Sequence, residues 1–128
     1  MYLIFYLLSL PMTTKVKPIQ KSLGHFAFSQ KVNEYQLFDS ARATEIKSKV
    51  RLHANGDWGQ IDPQDAKANN LAVEEHDGGR IHSVYTLSDG TKIWIITSGY
   101  GTPKSAMDLN TYSEMDYTNT VVLFPEEY

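Results

Sequence analysis

The chain has 128 residues and a mass of 14.5 kDa, which suits one compact domain and leaves little room for a second. Its 41% apolar and 21% charged residues are close to globular averages, which excludes a collagen, a coiled coil and a wholly disordered chain. The sequence contains no cysteine, and this excludes a disulfide scaffold, a thiolate metal site and a cysteine nucleophile.

The net charge of −3 hides a division along the chain. Residues 1–53 carry eight Lys or Arg against three acids, and residues 54–128 carry four bases against twelve acids. The charge of the basic part suits contact with either phosphate, as in a nucleic acid, or an acidic protein surface. The alternative is that these lysines only keep a surface solvated.

The first ten residues, Met1 to Leu10, are uncharged and apolar, and Pro11 and a second methionine follow. The segment is too short for a membrane-spanning helix, which needs about 20 apolar residues, and it lacks the positive start and cleavage site of a secretory signal. Three interpretations remain: an extra stretch before a start at Met12, a hydrophobic anchor, or a segment that docks in a groove. We expect no membrane span and a cytoplasmic location.

Residues 13–22 are polar and lysine-rich and predict a flexible continuation of this arm, so residues 1–22 are assigned to an arm and 23–128 to a single domain. Within the domain, residues 25–32 alternate weakly and predict a short strand. The first helix begins at Asp39 or Ser40, both of which can cap it. It ends at Asn55-Gly56, which tolerate the left-handed conformation of a C-terminal cap.

The second helix has clearer boundaries. Asp62 is the predicted cap and Pro63 occupies the first turn, where its missing N–H costs nothing. The helix is expected to run through Glu75 and to stop at residues 77–79.

Strands follow the second helix. Residues 80–87 and 91–97 flank a short hairpin loop, and residues 120–124 form a further strand. The stretch 98–119 between the last two strands is long and polar, which is typical of a functional, mobile or inserted loop. The predicted fold class is α+β, with two helices packed on one face of a three- to four-stranded antiparallel sheet.

The most distinctive stretch is residues 52–59, Leu-His-Ala-Asn-Gly-Asp-Trp-Gly, at the exit of the first helix. If the protein is an enzyme, His53 is the acid–base group, Asp57 orients it and Arg80 holds a phosphate or carboxylate. The structural alternative is that Asn55-Gly56 cap the helix, Trp58 fills the core and Arg80 pairs with a nearby carboxylate. The sequence alone leaves both open.

Motifs for metal or cofactor binding are not found in the sequence. The four histidines have no zinc-type spacing, and no phosphate-loop or dinucleotide motif occurs, so we expect no metal and no cofactor. Tyr and Met are enriched where protein surfaces meet. The candidate partner-binding residues in the long loop are therefore Tyr100, Met107, Tyr112 and Tyr117.

Several motifs follow one another in a specific order: His53-x-Asn-Gly-Asp-Trp-Gly59, Asp65 with Asn69, Gly79-Arg-Ile81, Lys92-Ile-Trp-Ile-Ile-Thr97 and Leu123-x-Pro-Glu-Glu-Tyr128. This order resembles a small uncharacterised family of plasmids, integrative elements and prophages whose members are often labelled "plasmid-related protein". The resemblance covers about residues 50–97 and 120–128. Family members carry a Glu after the Ile-Ile-Thr strand and an Arg further on, whereas this chain has Ser98 and no corresponding Arg.

The resemblance implies a small accessory protein of a mobile genetic element that acts by protein binding. The implied target class is a host defence system, such as a restriction or CRISPR effector that the protein would inhibit. The alternative is a small metal-independent ribonuclease-like enzyme or toxin, because a helix followed by an antiparallel sheet with His53, Asp57 and Arg80 is similar in outline to barnase-like ribonucleases. Protein binding is the favoured prediction, and catalytic activity stays open.

Overall fold

The computed structural model describes residues 23–75, 79–100 and 118–128. These residues form three helices and a four-stranded sheet, which confirms the predicted α+β class with one helix more than expected. The elements, in chain order, are β1 (His25–Phe28), α1 (Gln30–Gln36), α2 (Ser40–Ala54), α3 (Pro63–Glu75), β2 (Ile81–Thr86), β3 (Lys92–Ser98), β4 (Asn119–Leu123) and a 3-10 turn (Pro125–Glu127).

The strand order in the sheet is β1-β4-β3-β2. The β2–β3 and β3–β4 pairs are antiparallel, as predicted, but β1 runs parallel to β4. Parallel neighbours require a crossover, and here three helices and two strands lie between β1 and β4 in the chain. Residue alternation indicates a strand but not the direction of its partner, so the sequence could not show this pairing.

Helix α1 replaces the second half of the strand predicted over residues 25–32. The strand ends at Phe28 because Ser29 caps a helix: its hydroxyl oxygen accepts the N–H of Val32 at 3.1 Å. The same hydroxyl donates to Glu127 at 2.8 Å, which ties this turn to the end of the described chain. Val32 is fully buried, so its apolar character belongs to a helix face rather than to strand alternation.

The other helix boundaries agree with the predictions. Asp39 caps α2 by accepting the N–H groups of Ala41 and Arg42, both at 3.1 Å. Asp62 caps α3 in the same way, and hydrogen bonds from Asp65 and Gln64 lower the pKa of its carboxyl group. The predicted stop of α3 at residues 77–79 falls mostly outside the described residues.

The helices pack against one face of the sheet and enclose two clusters of apolar side chains. The first lies under α1 and α2, and the second lies between α3, β2 and the turn that follows α2. Members of the first are Val32, Ile46, Tyr85, Leu87, Ile93, Ile95 and Val122, and members of the second are Trp58, Ala72, Val73, Ile81 and Tyr100. None of the helices in the described ranges is long and apolar enough to cross a membrane.

Candidate functional site

His53 lies between α2 and the sheet, with no exposed surface. Its Nδ1 is 2.5 Å from Oγ of Ser83, and its Nε2 is 2.9 Å from Oγ1 of Thr97. The hydroxyl of Thr97 lies 2.8 Å from that of Thr120, which donates to the backbone carbonyl of Leu23 at 2.7 Å. A row of polar groups therefore crosses the buried face of the sheet from β2 to the residues before β1.

The direction of these hydrogen bonds fixes the tautomer of His53. Each hydroxyl has one proton, and that of Thr120 is used on the Leu23 carbonyl. Thr97 must then donate to Thr120, and His53 must donate from Nε2 to Thr97. Nδ1 is left as the acceptor of the Ser83 hydroxyl, so the imidazole is neutral and both its nitrogens have partners.

Burial, together with a smaller effect of the nearby His82, lowers the pKa of His53 to about 3. An acid–base catalyst that works near neutral pH needs a pKa close to that pH and access to its substrate. His53 has neither property in this structure, whereas its contacts give it a clear role in the core.

Asp57 and Trp58 follow α2 in the distinctive 52–59 stretch. The carboxylate of Asp57 accepts the N–H of Gly59 at 3.0 Å, and its carbonyl oxygen accepts the hydroxyl of Tyr85. Trp58 is 7% exposed and donates from its indole N–H to Asn70 at 2.8 Å. The structure thus places Trp58 in the core, as the structural interpretation of this stretch predicted.

Arg80 belongs to a different group of side chains. Its Nη1 donates to the phenol oxygen of Tyr128 at 2.7 Å, and its guanidinium lies 5.2 Å from the centre of that ring. Tyr128 in turn contacts Trp94, which contacts His82. Within the described ranges, no hydrogen bond or ion pair joins Arg80 to His53 or Asp57, so the catalytic hypothesis for the three stays a prediction without a contact that favours it.

Of the four residues predicted to contact a partner, only Tyr100 belongs to the described residues. Tyr100 is 5% exposed and packs in the cluster that contains Trp58, Val73 and Ile81. Met107, Tyr112 and Tyr117 lie outside the described residues, so the role predicted for them remains a prediction.

The outer edge of β2 is covered by the chain itself. The backbone of Val84 accepts from Gln60 at 2.7 Å and donates to Trp58 at 3.2 Å. One step along the strand, the side-chain amide of Asn69 bonds both backbone groups of His82. The edge that would otherwise be open to another strand is therefore closed at two successive outward-facing positions.

The outer edge of β1 is open. His25 donates to Thr118 at 3.1 Å and Ser29 donates to Val122 at 2.9 Å, so the odd-numbered residues of β1 point their backbone groups towards β4. Because these groups alternate in direction along a strand, the N–H and C=O groups of Phe26 and Phe28 point away from the sheet. No described residue pairs with them.

A groove of about 430 Å³ lies beside this open edge, on the side of the sheet that carries the helices. The rings of Phe26 and Phe28 are 40% and 37% exposed and meet edge to face, with their centres 5.2 Å apart. The remaining walls come from the end of α1 and one side of α2: Asn33, Gln36, Leu37, Ala43, Lys47 and Val50. Lys47 is the one charged residue among the lining side chains.

This surface was not predicted from the sequence. Its signal was a strand with Phe at two alternating positions and neither Lys nor Pro, the residues that commonly protect an exposed edge. That signal becomes meaningful only when the strand is known to lie at the edge of the sheet.

Comparisons of the chain with protein-family models, with curated proteins and with solved structures found no match. Among the described residues, no three His, Asp or Glu side chains are grouped so that they could hold a metal ion. The function is therefore inferred from the chain's own geometry, in which the open edge of β1 and its groove are the most distinctive accessible feature.

Proposed function

We propose that this chain is a protein-binding accessory factor that captures an extended segment of a partner protein on the open edge of β1. The observation that supports this proposal is the difference between the two edges of one sheet. The β2 edge is covered by Asn69 and by residues 58–60, whereas the β1 edge exposes Phe26 and Phe28. An open apolar edge promotes aggregation. Because this chain covers one edge of its sheet and leaves the other open, we expect the open edge to serve as a binding surface.

The partner segment would add to the sheet as a fifth strand. Its backbone would pair with the outward N–H and C=O groups of Phe26 and Phe28, which supply affinity that does not depend on sequence. Alternate side chains of the added strand would point into the groove and contact Leu37, Ala43 and Val50. These contacts would supply specificity, because apolar side chains gain free energy when they are buried against them.

The charge of the groove restricts the partner further. Lys47 lines it and no acidic side chain does, so a segment with one acidic residue among its groove-facing side chains fits best. Two exposed residues of α1 and α2, Lys31 and Arg51, add positive charge that would accelerate the approach of an acidic protein. The sequence resemblance favours a cytoplasmic host defence protein of the restriction or CRISPR type as that partner, which the chain would inhibit on behalf of a mobile element.

Affinity purification of the tagged chain with two matched variants tests the proposal. Phe26→Lys places a charge on the open edge, where lysine discourages strand addition. Phe38→Lys makes the same change at a residue that is 96% exposed and does not line the groove. We expect a host protein that co-purifies with the wild type and with Phe38→Lys, and that is reduced at least tenfold with Phe26→Lys.

Equal recovery of the same proteins with both variants would contradict the proposal. Circular dichroism and thermal unfolding of both variants verify that a loss with Phe26→Lys does not come from unfolding. Because Phe26 is substantially exposed, the substitution is expected to leave the fold intact.

A further inference from the structure

We propose that the apolar N-terminal segment of this same chain, residues 2–10, docks antiparallel on the open edge of β1 and fills the groove until a partner displaces it. The docking rests on the edge and on the sequence of the segment. Its role as a competitor of the partner rests on the proposed function.

The chemistry of the segment matches that of the groove. Residues 2–10 read Tyr-Leu-Ile-Phe-Tyr-Leu-Leu-Ser-Leu, without a charge. Four of them, Tyr2, Ile4, Phe5 and Tyr6, are of the aromatic and β-branched types that favour strands. A segment of this composition pairs with unpaired strand edges when it is exposed. The described part of the chain offers one such edge, with Phe26, Phe28, Leu37 and Val50 beside it.

The connection between the segment and β1 is long enough for the chain to turn back. Twelve residues, 11–22, join the segment to Leu23. The carbonyl of Leu23 accepts the Thr120 hydroxyl at 2.7 Å, which fixes the start of β1. Twelve residues span up to about 40 Å when extended, and four residues of β1 span only about 13 Å. A tether of this length keeps the segment at an effective concentration on the order of millimolar near the edge.

The register of docking is not fixed by the segment. Leu3, Phe5 and Leu7 lie on one face of an extended strand, and Ile4, Tyr6 and Leu8 lie on the other. Both faces are apolar, so either can fill the groove and the segment can slip by one residue. The segment also has no acid to pair with Lys47, and a partner segment with a carboxylate therefore makes a contact that the N-terminal segment lacks.

Amide hydrogen exchange on the full chain tests the docking. The amides of Phe26 and Phe28 point away from the sheet, and that of Ala27 points towards β4 and serves as an internal reference. Tyr6→Lys with Leu7→Lys places one charge on each face of the segment. Thr13→Lys with Thr14→Lys adds the same charge to the connecting residues and is the control.

We expect the Phe26 and Phe28 amides to exchange at least tenfold faster in the Tyr6→Lys, Leu7→Lys chain than in the wild type and the control, with Ala27 unchanged. Equal rates at Phe26 and Phe28 in all three chains would overturn the docking. Protection that rises with protein concentration would also overturn it, because it would show a second copy on the edge.

The two proposals fail separately. A chain that captures its partner through Phe26 but has unprotected edge amides in the free state overturns the docking and leaves the proposed function standing. A chain whose edge amides are protected by residues 2–10, and which captures no partner through Phe26, overturns the proposed function and leaves the docking standing.

Discussion

The side-chain amide of Asn69 on α3 pairs with the backbone of His82 as a neighbouring strand would. Nδ2 donates to the carbonyl of His82 at 2.9 Å, and Oδ1 accepts its N–H at 3.1 Å. Asn69 is almost fully buried and its two hydrogen bonds to His82 are partly buried, so water would replace them poorly. One side chain thus both anchors α3 to the sheet and closes the β2 edge.

Replacing Asn69 by Ala should therefore destabilise the fold by about 1–3 kcal/mol, the cost of leaving two partly buried backbone groups without their partners. The free energy of unfolding in urea measures this effect. Gln64→Ala, at an exposed position of the same helix, is the control and should change that free energy by less than about 0.5 kcal/mol. An Asn69→Ala chain as stable as the control would show that the pairing with His82 is dispensable.

His53 should make the stability depend on pH. Its pKa is about 3 in the folded chain and near 6.5 when unfolded, so the unfolded state takes up a proton first as the pH falls. The neutral imidazole of His53 makes its full contribution to the free energy of unfolding above pH 6.5. This contribution is lost progressively as the pH falls towards 3. In this interval the loss approaches roughly 1.4 kcal/mol per pH unit.

The non-titrating variant His53→Gln isolates this effect. Urea unfolding at pH 7.5 and pH 4.5 should show that the stability advantage of the wild type over His53→Gln shrinks by about 2.7 kcal/mol at the lower pH. If the difference in free energy of unfolding between the wild type and His53→Gln is the same at both pH values, a group other than His53 takes up the proton.

Gly59 and Gly90 provide a matched pair for the turn beside β2. Both have positive φ, 70° and 90°, but a Cβ at Gly59 would lie 2.0 Å from the carbonyl oxygen of Val84, and a Cβ at Gly90 meets nothing within 4 Å. Gly90→Ala should cost about 1–2 kcal/mol from backbone strain alone. Gly59→Ala should cost clearly more, because the alanine must also displace the chain from Val84. Thermal unfolding compares the two, and equal losses would exclude the close approach at Gly59.

The helix boundaries and the β2–β3 hairpin could be predicted because their signals are local. Asp39 and Asp62 cap their helices through bonds to residues two and three positions away, and Gly90 lies in the connection of the hairpin. The alternating residues of β3 and β4 also needed no information about distant parts of the chain.

The rest depends on contacts between distant residues. Ser29 ends β1 and bonds Glu127, and Arg80 meets Tyr128 rather than a nearby carboxylate. His53 was predicted only as a candidate acid–base group, because its partners Ser83 and Thr97 lie on β2 and β3 and determine that it is a core residue. Which strand remains at an open edge is decided by the whole sheet, so the groove beside β1 left no local signal strong enough to identify it.

Amide hydrogen exchange of the complex tests most directly that a partner segment adds to β1. The chain with Tyr6→Lys and Leu7→Lys is used, so that the edge starts uncovered by residues 2–10, and the partner is the protein recovered in the purification. We predict that its addition slows exchange at the Phe26 and Phe28 amides at least tenfold and leaves Ala27 unchanged. A complex that forms while Phe26 and Phe28 exchange as fast as in the free chain would contradict strand addition at this edge.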